Sequence, residues 1–265
     1  MRRFAAATGV GVLNTFGAKG LFRWDDPAHL GTIGLQERDV ELAGVLDADV
    51  VLAVGLDDRE LGPADLGPRV SVVEPSALES WVERVVPAPP GRLYGELRAA
   101  LLPLYGDESV PLTPAAAAAD LAEALPVGGL VCADPGPVGL WVARALPTTV
   151  LGSVHVPPVA GRGPAIAAAL EAASTGRSVV LATHHPASGE VRAGLERATA
   201  NHWPLVVEVW GDDSLPLSSR AARRDRLAAA FADGGQHLHP VPVDLSLTKV
   251  LVDVAGPVSA WHHRF

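Results

Sequence analysis

The sequence predicts an α/β protein of two Rossmann-like units whose parallel sheets are covered by helices, and three observations carry that prediction. Residues 178–182 and 205–210 are short, continuous, β-branched apolar runs without a polar face, the pattern of strands buried on both sides. Between them, residues 189–200 place Val191, Leu195 and Ala198 at helical spacing. The composition, 48% hydrophobic but only 5% aromatic, suits small, closely packed side chains. Together these describe a β-α-β unit. In such sheets ligands bind beyond the carboxyl ends of the strands, and here those ends read Thr183-His184-His185-Pro186 and Gly211-Asp212-Asp213-Ser214. A polar site is therefore expected on this rim.

The elements follow in order. Residues 9–13 read as a short strand leading into the glycine-rich turn 14–20, and residues 21–38 as an irregular stretch. A helix is expected over about 39–46, with strands over 49–55 and 70–74, a Rossmann-like succession. Prolines punctuate 87–90 and 103–114 and mark connections, with one helix between them over 94–102. The boundary is placed near 107–111, giving units 1–108 and 109–265. The second opens with Thr113 as helix N-cap and Pro114 at the first helical position of an Ala-rich helix to residue 125. Then come a strand (130–133), a helix (138–145), a strand (150–154), a helix (164–173) and the β-α-β unit. A helix over 223–231, a strand over 238–243 and the mixed apolar run 247–255, expected to end the sheet, complete the chain.

Composition excludes several classes of function. A formal charge of −9 leaves no electrostatic footprint for nucleic acid, and the basic run 220–226, RAARRDR, reads as a solvated helix face. Cys132 is the sole cysteine, so no intrachain disulfide forms; within an apolar run it is expected to be buried and inert. No run approaches the ~18 apolar residues that span a bilayer. The start, MRRFAAATGVGVL, imitates an export signal only faintly, so a cytoplasmic protein is expected. Gly9, Gly11 and Gly17 do not keep the spacing of a dinucleotide fingerprint, and Lys19 lacks the context of a phosphate-binding loop.

Several separated segments resemble, in one consistent order, the thiamine diphosphate-dependent enzymes of the acetolactate synthase and benzoylformate decarboxylase type. Thr15, Lys19-Gly20, Asp26-Pro27, Gly31, Gly34 and the strand 49–55 stand where that family's central domain carries its pattern. Asp134-Pro135-Gly136 with Trp141, the helix from Pro164, and Trp203-Pro204-Leu205 through Asp213 resemble the domain that binds the diphosphate end of the cofactor. The resemblance implies thiamine diphosphate and Mg²⁺, with Asp134, Gly136, Val159, His184, His185 and Asp212 at the cofactor positions. It also implies departures. The family's Gly-Asp-Gly metal motif falls on His184, His185 and Pro186, and its Asn-Asn on Gly211-Asp212. The remaining metal-ligand candidates are His185 and Asp212, yet Mg²⁺ prefers oxygen to imidazole. Val159 stands near the Met that supports the thiazolium ring. The family's activating Glu lies in a pyrimidine-binding domain ahead of the central one, and Glu37 and Glu41 lie in the wrong domain to replace it.

The resemblance therefore implies a non-catalytic or partner-dependent subunit, either a homodimer or a companion to a chain carrying the pyrimidine domain. The alternatives are the diphosphate-side subunit of a split 2-oxo acid decarboxylase or carboligase, and an unrelated α/β domain binding a small metabolite or metal. The residues also admit plain readings. Asp134 suits a helix cap, and Asp212 and Asp213 an acidic turn. His184 and His185 point to opposite sides of an extended chain. His237 and His239 face the same way without a third ligand, and His262-His263 reads as frayed surface.

Overall fold

The computed structural model describes residues 1–85, 94–161, 163–185 and 189–261. The proline-rich connection expected at 87–90, Pro186 and the His262-His263 tail lie outside them. Its second half is a five-stranded parallel sheet in the order β6-β5-β7-β8-β9, formed by β5 (Leu130–Ala133), β6 (Val154–His155), β7 (Val179–Thr183), β8 (Leu205–Trp210) and β9 (Gln236–Val241). Helices α4 (Pro114–Ala124), α5 (Pro137–Ala145), α6 (Pro164–Ser174), α7 (Gly189–Asn201) and α8 (Arg220–Asp233) cover its faces, and the last four provide the crossovers. Every residue of β5, β7 and β8 is buried, as continuous apolar strands require. Thr113 caps α4 as expected, its hydroxyl accepting from the Ala116 amide at 3.1 Å, with Pro114 at the first position.

The first half departs from a single Rossmann sheet. After a short helix α1 (Arg2–Thr8), β1 (Val12–Thr15) pairs in parallel with β2 (His29–Ile33), while β3 (Val51–Ala53) pairs with β4 (Val70–Val72) in a separate two-stranded sheet. Strand β2 lies in the stretch read as irregular, because Pro27 and the surrounding glycines mask its short apolar run. Helix α2 (Asp39–Leu42) is a single turn followed by a 3₁₀ turn, shorter than expected because Gly44 takes φ 65°. Helix α3 (Gly95–Tyr105) includes Pro103, which was expected in the connection.

Two further expectations fail. The run 247–255 is not a strand but α9 (Thr248–Ala255), with Leu251 and Ala255 buried four residues apart on one face. The expected strand 150–154 shrinks to β6, which starts only after the bend around Gly152, φ 79°. One buried apolar cluster runs through both halves, from Phe16, Ile33 and Leu35 to Trp141, Val180 and Trp210. Among the described residues no helix is long and apolar enough to cross a membrane.

The basic run is not a solvated face. Arg220 and Arg223, on the inner side of α8, are 6% and 0% exposed. Arg223 grips both oxygens of Glu208, with Nη2 to Oε2 at 2.6 Å and Nε to Oε1 at 3.0 Å, and donates to Asp120 at 3.2 Å, while Arg220 donates to Asp120 at 2.9 Å. Strand β8 thus carries a buried charge inside an otherwise apolar run, tolerated because a guanidinium matches both carboxylate oxygens.

Candidate functional site at the rim of the five-stranded sheet

Because all five strands run parallel, the residues following β6, β5, β7 and β8 lie side by side on one edge of the sheet. From the outer strand inward these are Val159, then Asp134 and Gly136, then His184 and His185, then Asp212. The residues directly after β5, β7 and β8 therefore lie along the carboxyl rim, whereas Val159 stands four residues beyond the end of β6.

Local chemistry fixes each of them. After β5 the chain turns sharply into α5. Gly136 occupies the N-cap with φ 115°, a conformation that side chains rarely adopt, and a Cβ at Gly139 would run into the Asp134 carbonyl oxygen. The helix cap expected of Asp134 is thus taken by a glycine, and Asp134 Oδ2 instead accepts the Thr183 hydroxyl at 2.6 Å. Thr183 Oγ1 in turn accepts the His185 amide at 3.0 Å. This fully buried threonine ties β5 to the turn after β7, and sequence reading does not single it out. A hydroxyl ending an apolar strand is the available signal.

His184 is exposed, and its Nδ1 lies 2.8 Å from the Trp210 carbonyl oxygen at the end of β8. It packs over Gly211, where an added Cβ would come within 3.2 Å of the imidazole. Behind it, Trp210 donates its indole N–H to Glu208 at 3.0 Å, so the Glu208–Arg223 pair fixes the strand end on which the imidazole rests. The two histidine rings are 5.5 Å apart and tilted by 55°. Asp212 accepts the Ser214 amide at 2.9 Å, and its hydrogen bonds from Ser214 hold its carboxyl below the usual range. It serves its own turn. Val159 is half-buried in the loop after β6.

Away from the rim, Cys132 is buried as expected, and burial pushes its thiol up to about 12. His237 contacts Asp233 at 3.0 Å, and burial lowers His239 to about 4.

Residues 1–76 match the family described as thiamine pyrophosphate enzyme, central domain. The N-terminal unit is thus similar in sequence to the central domain of thiamine pyrophosphate enzymes. No curated protein matches the chain. Among solved structures, one from Mycobacterium smegmatis, described as a thiamin diphosphate-dependent enzyme, superposes with a TM-score of 0.66 at 19% identity over 91% of this chain. The match spans 58% of that structure's length. At this identity it shows a shared fold, which here extends through the five-stranded sheet.

Whether the rim suits thiamine diphosphate held through Mg²⁺ is decided by its donors. A hard cation gathers about six oxygens, several from carboxylates. Here Asp134 is engaged with Thr183, Asp212 with its own turn, and the position between them is imidazole. Among the described residues, no three of His, Cys, Asp and Glu converge where they could hold a metal ion. The described donors do not fit that group.

Proposed function

We propose that this chain is a thiamine diphosphate enzyme-type subunit that does not bind the cofactor by itself and works as a non-catalytic or partner-dependent component. One observation carries the reading. The rim retains the family-like positions but fills them with groups that satisfy one another: Asp134 with Thr183, His184 with the Trp210 carbonyl, and Asp212 with Ser214. Imidazole at position 185 and the lack, among the described residues, of three converging His, Cys, Asp or Glu side chains leave too few oxygens for a hard cation. The companion would be a second copy or a chain supplying a pyrimidine-binding domain with its activating carboxylate. The compartment proposed is cytoplasmic.

Calorimetric titration with thiamine diphosphate, with and without Mg²⁺, tests this. The expected result is no saturable heat at millimolar cofactor in either condition. Saturable, Mg²⁺-dependent binding would sink the proposal and favour the split-enzyme alternative, in which this chain supplies the diphosphate side for decarboxylation or carboligation of a 2-oxo acid.

A further inference from the structure

Glu208 of β8 and His239 of β9 stand opposite one another in register, so their side chains leave the sheet on the same face. Helix α8 covers that face, since Arg223 reaches down from it to grip Glu208. Arg226 follows three residues later, on the same side of the helix. The carboxylates beneath α8 are already taken. Both Glu208 oxygens are held by Arg223, one of them also by the Trp210 indole, and both Asp120 oxygens by Arg220 and Arg223. Asp233 is engaged by His237 at 3.0 Å. Arg226 has no ion pair among the described residues, and residues 86–93, 162, 186–188 and 262–265 contain no Asp or Glu that could supply one.

Two polar atoms are left over at this place. Arg226 Nη2 and His239 Nδ1 are both buried and neither has a hydrogen-bond partner, so they do not satisfy each other. Burial lowers the His239 pKa to about 4; Glu208 pulls it up, while the charges of Arg226, His237 and Arg223 push it further down. The ring is therefore neutral at pH 7, and Arg226 brings the positive charge. A guanidinium N–H left without an acceptor away from water is costly, and such groups are rare in folded chains. Strand β9 is at the edge of the sheet, and Arg226 and His237 are half-buried, so the spot lies near the surface along the sheet's flank.

We propose that Arg226 and His239 hold the carboxylate of a small ligand beneath α8, at the edge of the five-stranded sheet. One carboxylate oxygen accepts from Arg226 Nη2 and the other from His239 Nδ1, with the imidazole in the tautomer that carries its proton on Nδ1. The ligand's chemistry follows from what the pair lacks. A carboxylate brings the single negative charge that Arg226 is missing and two acceptor oxygens for two orphaned donors. A phosphate group, with a third oxygen to satisfy, asks for more donors than this pair offers. The proposal is independent of the cofactor reading, since it uses neither the rim residues nor a metal.

Titration of the intact chain with sodium acetate, at ionic strength held constant with sodium chloride, provides the test when followed by the ring-nitrogen resonances of the histidines. Acetate should shift the His239 resonances saturably and fix the proton on Nδ1, while His29 in the N-terminal unit stays unchanged. Arg226→Gln should weaken acetate binding about tenfold or more, because a charge-assisted hydrogen bond is lost. The same variant should leave the urea midpoint of the acetate-free chain unchanged or raise it, since the arginine it removes is unpaired there. Arg226→Lys, which keeps the charge but not the planar donor, should weaken binding less. The proposal is overturned if acetate gives no saturable shift by tens of millimolar, if chloride alone gives the same shift, or if Arg226→Gln binds acetate as tightly as the natural chain. It is equally overturned if the bound state keeps the His239 proton on Nε2, or if inorganic phosphate binds more tightly than acetate with the same dependence on Arg226, which would assign the donors to a phosphoryl group.

Discussion

The Lys19 ammonium is only 5% exposed, and burial together with the nearby Arg144 guanidinium lowers its pKa to about 7 from 10.5. The unfolded chain keeps this group protonated up to about 10.5, so between pH 7 and 10.5 unfolding takes up a proton. Lys19 therefore costs stability most fully below pH 7, and that cost shrinks as pH rises toward 10.5. Lys19→Met should raise the unfolding free energy at pH 6 by a few kcal/mol, since each tenfold loss of proton affinity on folding corresponds to about 1.4 kcal/mol. The gain should fade by pH 10. Denaturant melts of both forms across that range check this; an unchanged gain at every pH would mean that packing rather than charge produced it. The Lys-Gly pair marks this position in the sequence, but nothing local announces that the lysine is buried. The neighbouring Gly20, with φ 85°, sits where any side chain would strike the Val150 backbone carbonyl, so this half of the pair is a requirement of close approach.

At the scale of elements, legibility follows how local the determining physics is. Strands β5, β7 and β8 are readable because each is a continuous apolar run, and α4 because Thr113 and Pro114 declare its start within two residues. Thr113→Ala should cost about 1 kcal/mol of global stability, since it strips the acceptor from the Ala116 amide and the hydroxyl from the Leu104 carbonyl. A loss below a few tenths in urea unfolding would mean that solvent replaces the cap freely. Where the partner is distant in sequence, reading fails. Helix α9 is short and apolar enough to pass for a strand, and only its packing on α3 resolves the choice. The basic run reads as solvated because nothing near it in sequence is acidic enough to bury it; its partners Asp120 and Glu208 lie 100 and 15 residues from the arginines they hold. Glu208 is the overlooked signal, since a carboxylate in an all-apolar strand demands a buried cation. The ends of β5, β7 and β8 share one edge because the strands of a parallel sheet do so whatever their side chains. Their hydrogen bonding is not legible, since it depends on lateral strand order.

At the scale of the whole molecule, the two halves are joined by a buried polar knot as well as by apolar contact. Arg144 of α5 donates to Asp39 Oδ1 and the Thr32 carbonyl, each at 2.6 Å, and to Gln36 Oε1 at 3.1 Å. The other Asp39 oxygen accepts the amides of Leu35 and Gln36, and the Gln36 amide group donates to the carbonyls of Leu251 within α9 and of Gly256 at its C-cap. Asp39 and Arg144 side chains are 1% and 3% exposed, so neither finds water if the other is removed. Arg144→Leu should therefore cost about 3–5 kcal/mol, most of it from an uncompensated Asp39 carboxylate. Asp39→Asn in that background should recover part of the loss, because a neutral amide is cheaper to bury and still accepts the Leu35 and Gln36 amides. A double-mutant cycle by urea unfolding measures this, with tryptophan fluorescence and far-ultraviolet dichroism followed together. If the knot couples the halves, both probes coincide in the natural chain and separate in Arg144→Leu, where the N-terminal unit, with its two small two-stranded sheets, unfolds first. Coincident transitions in the variant would mean that the shared apolar cluster alone keeps the two halves one cooperative unit.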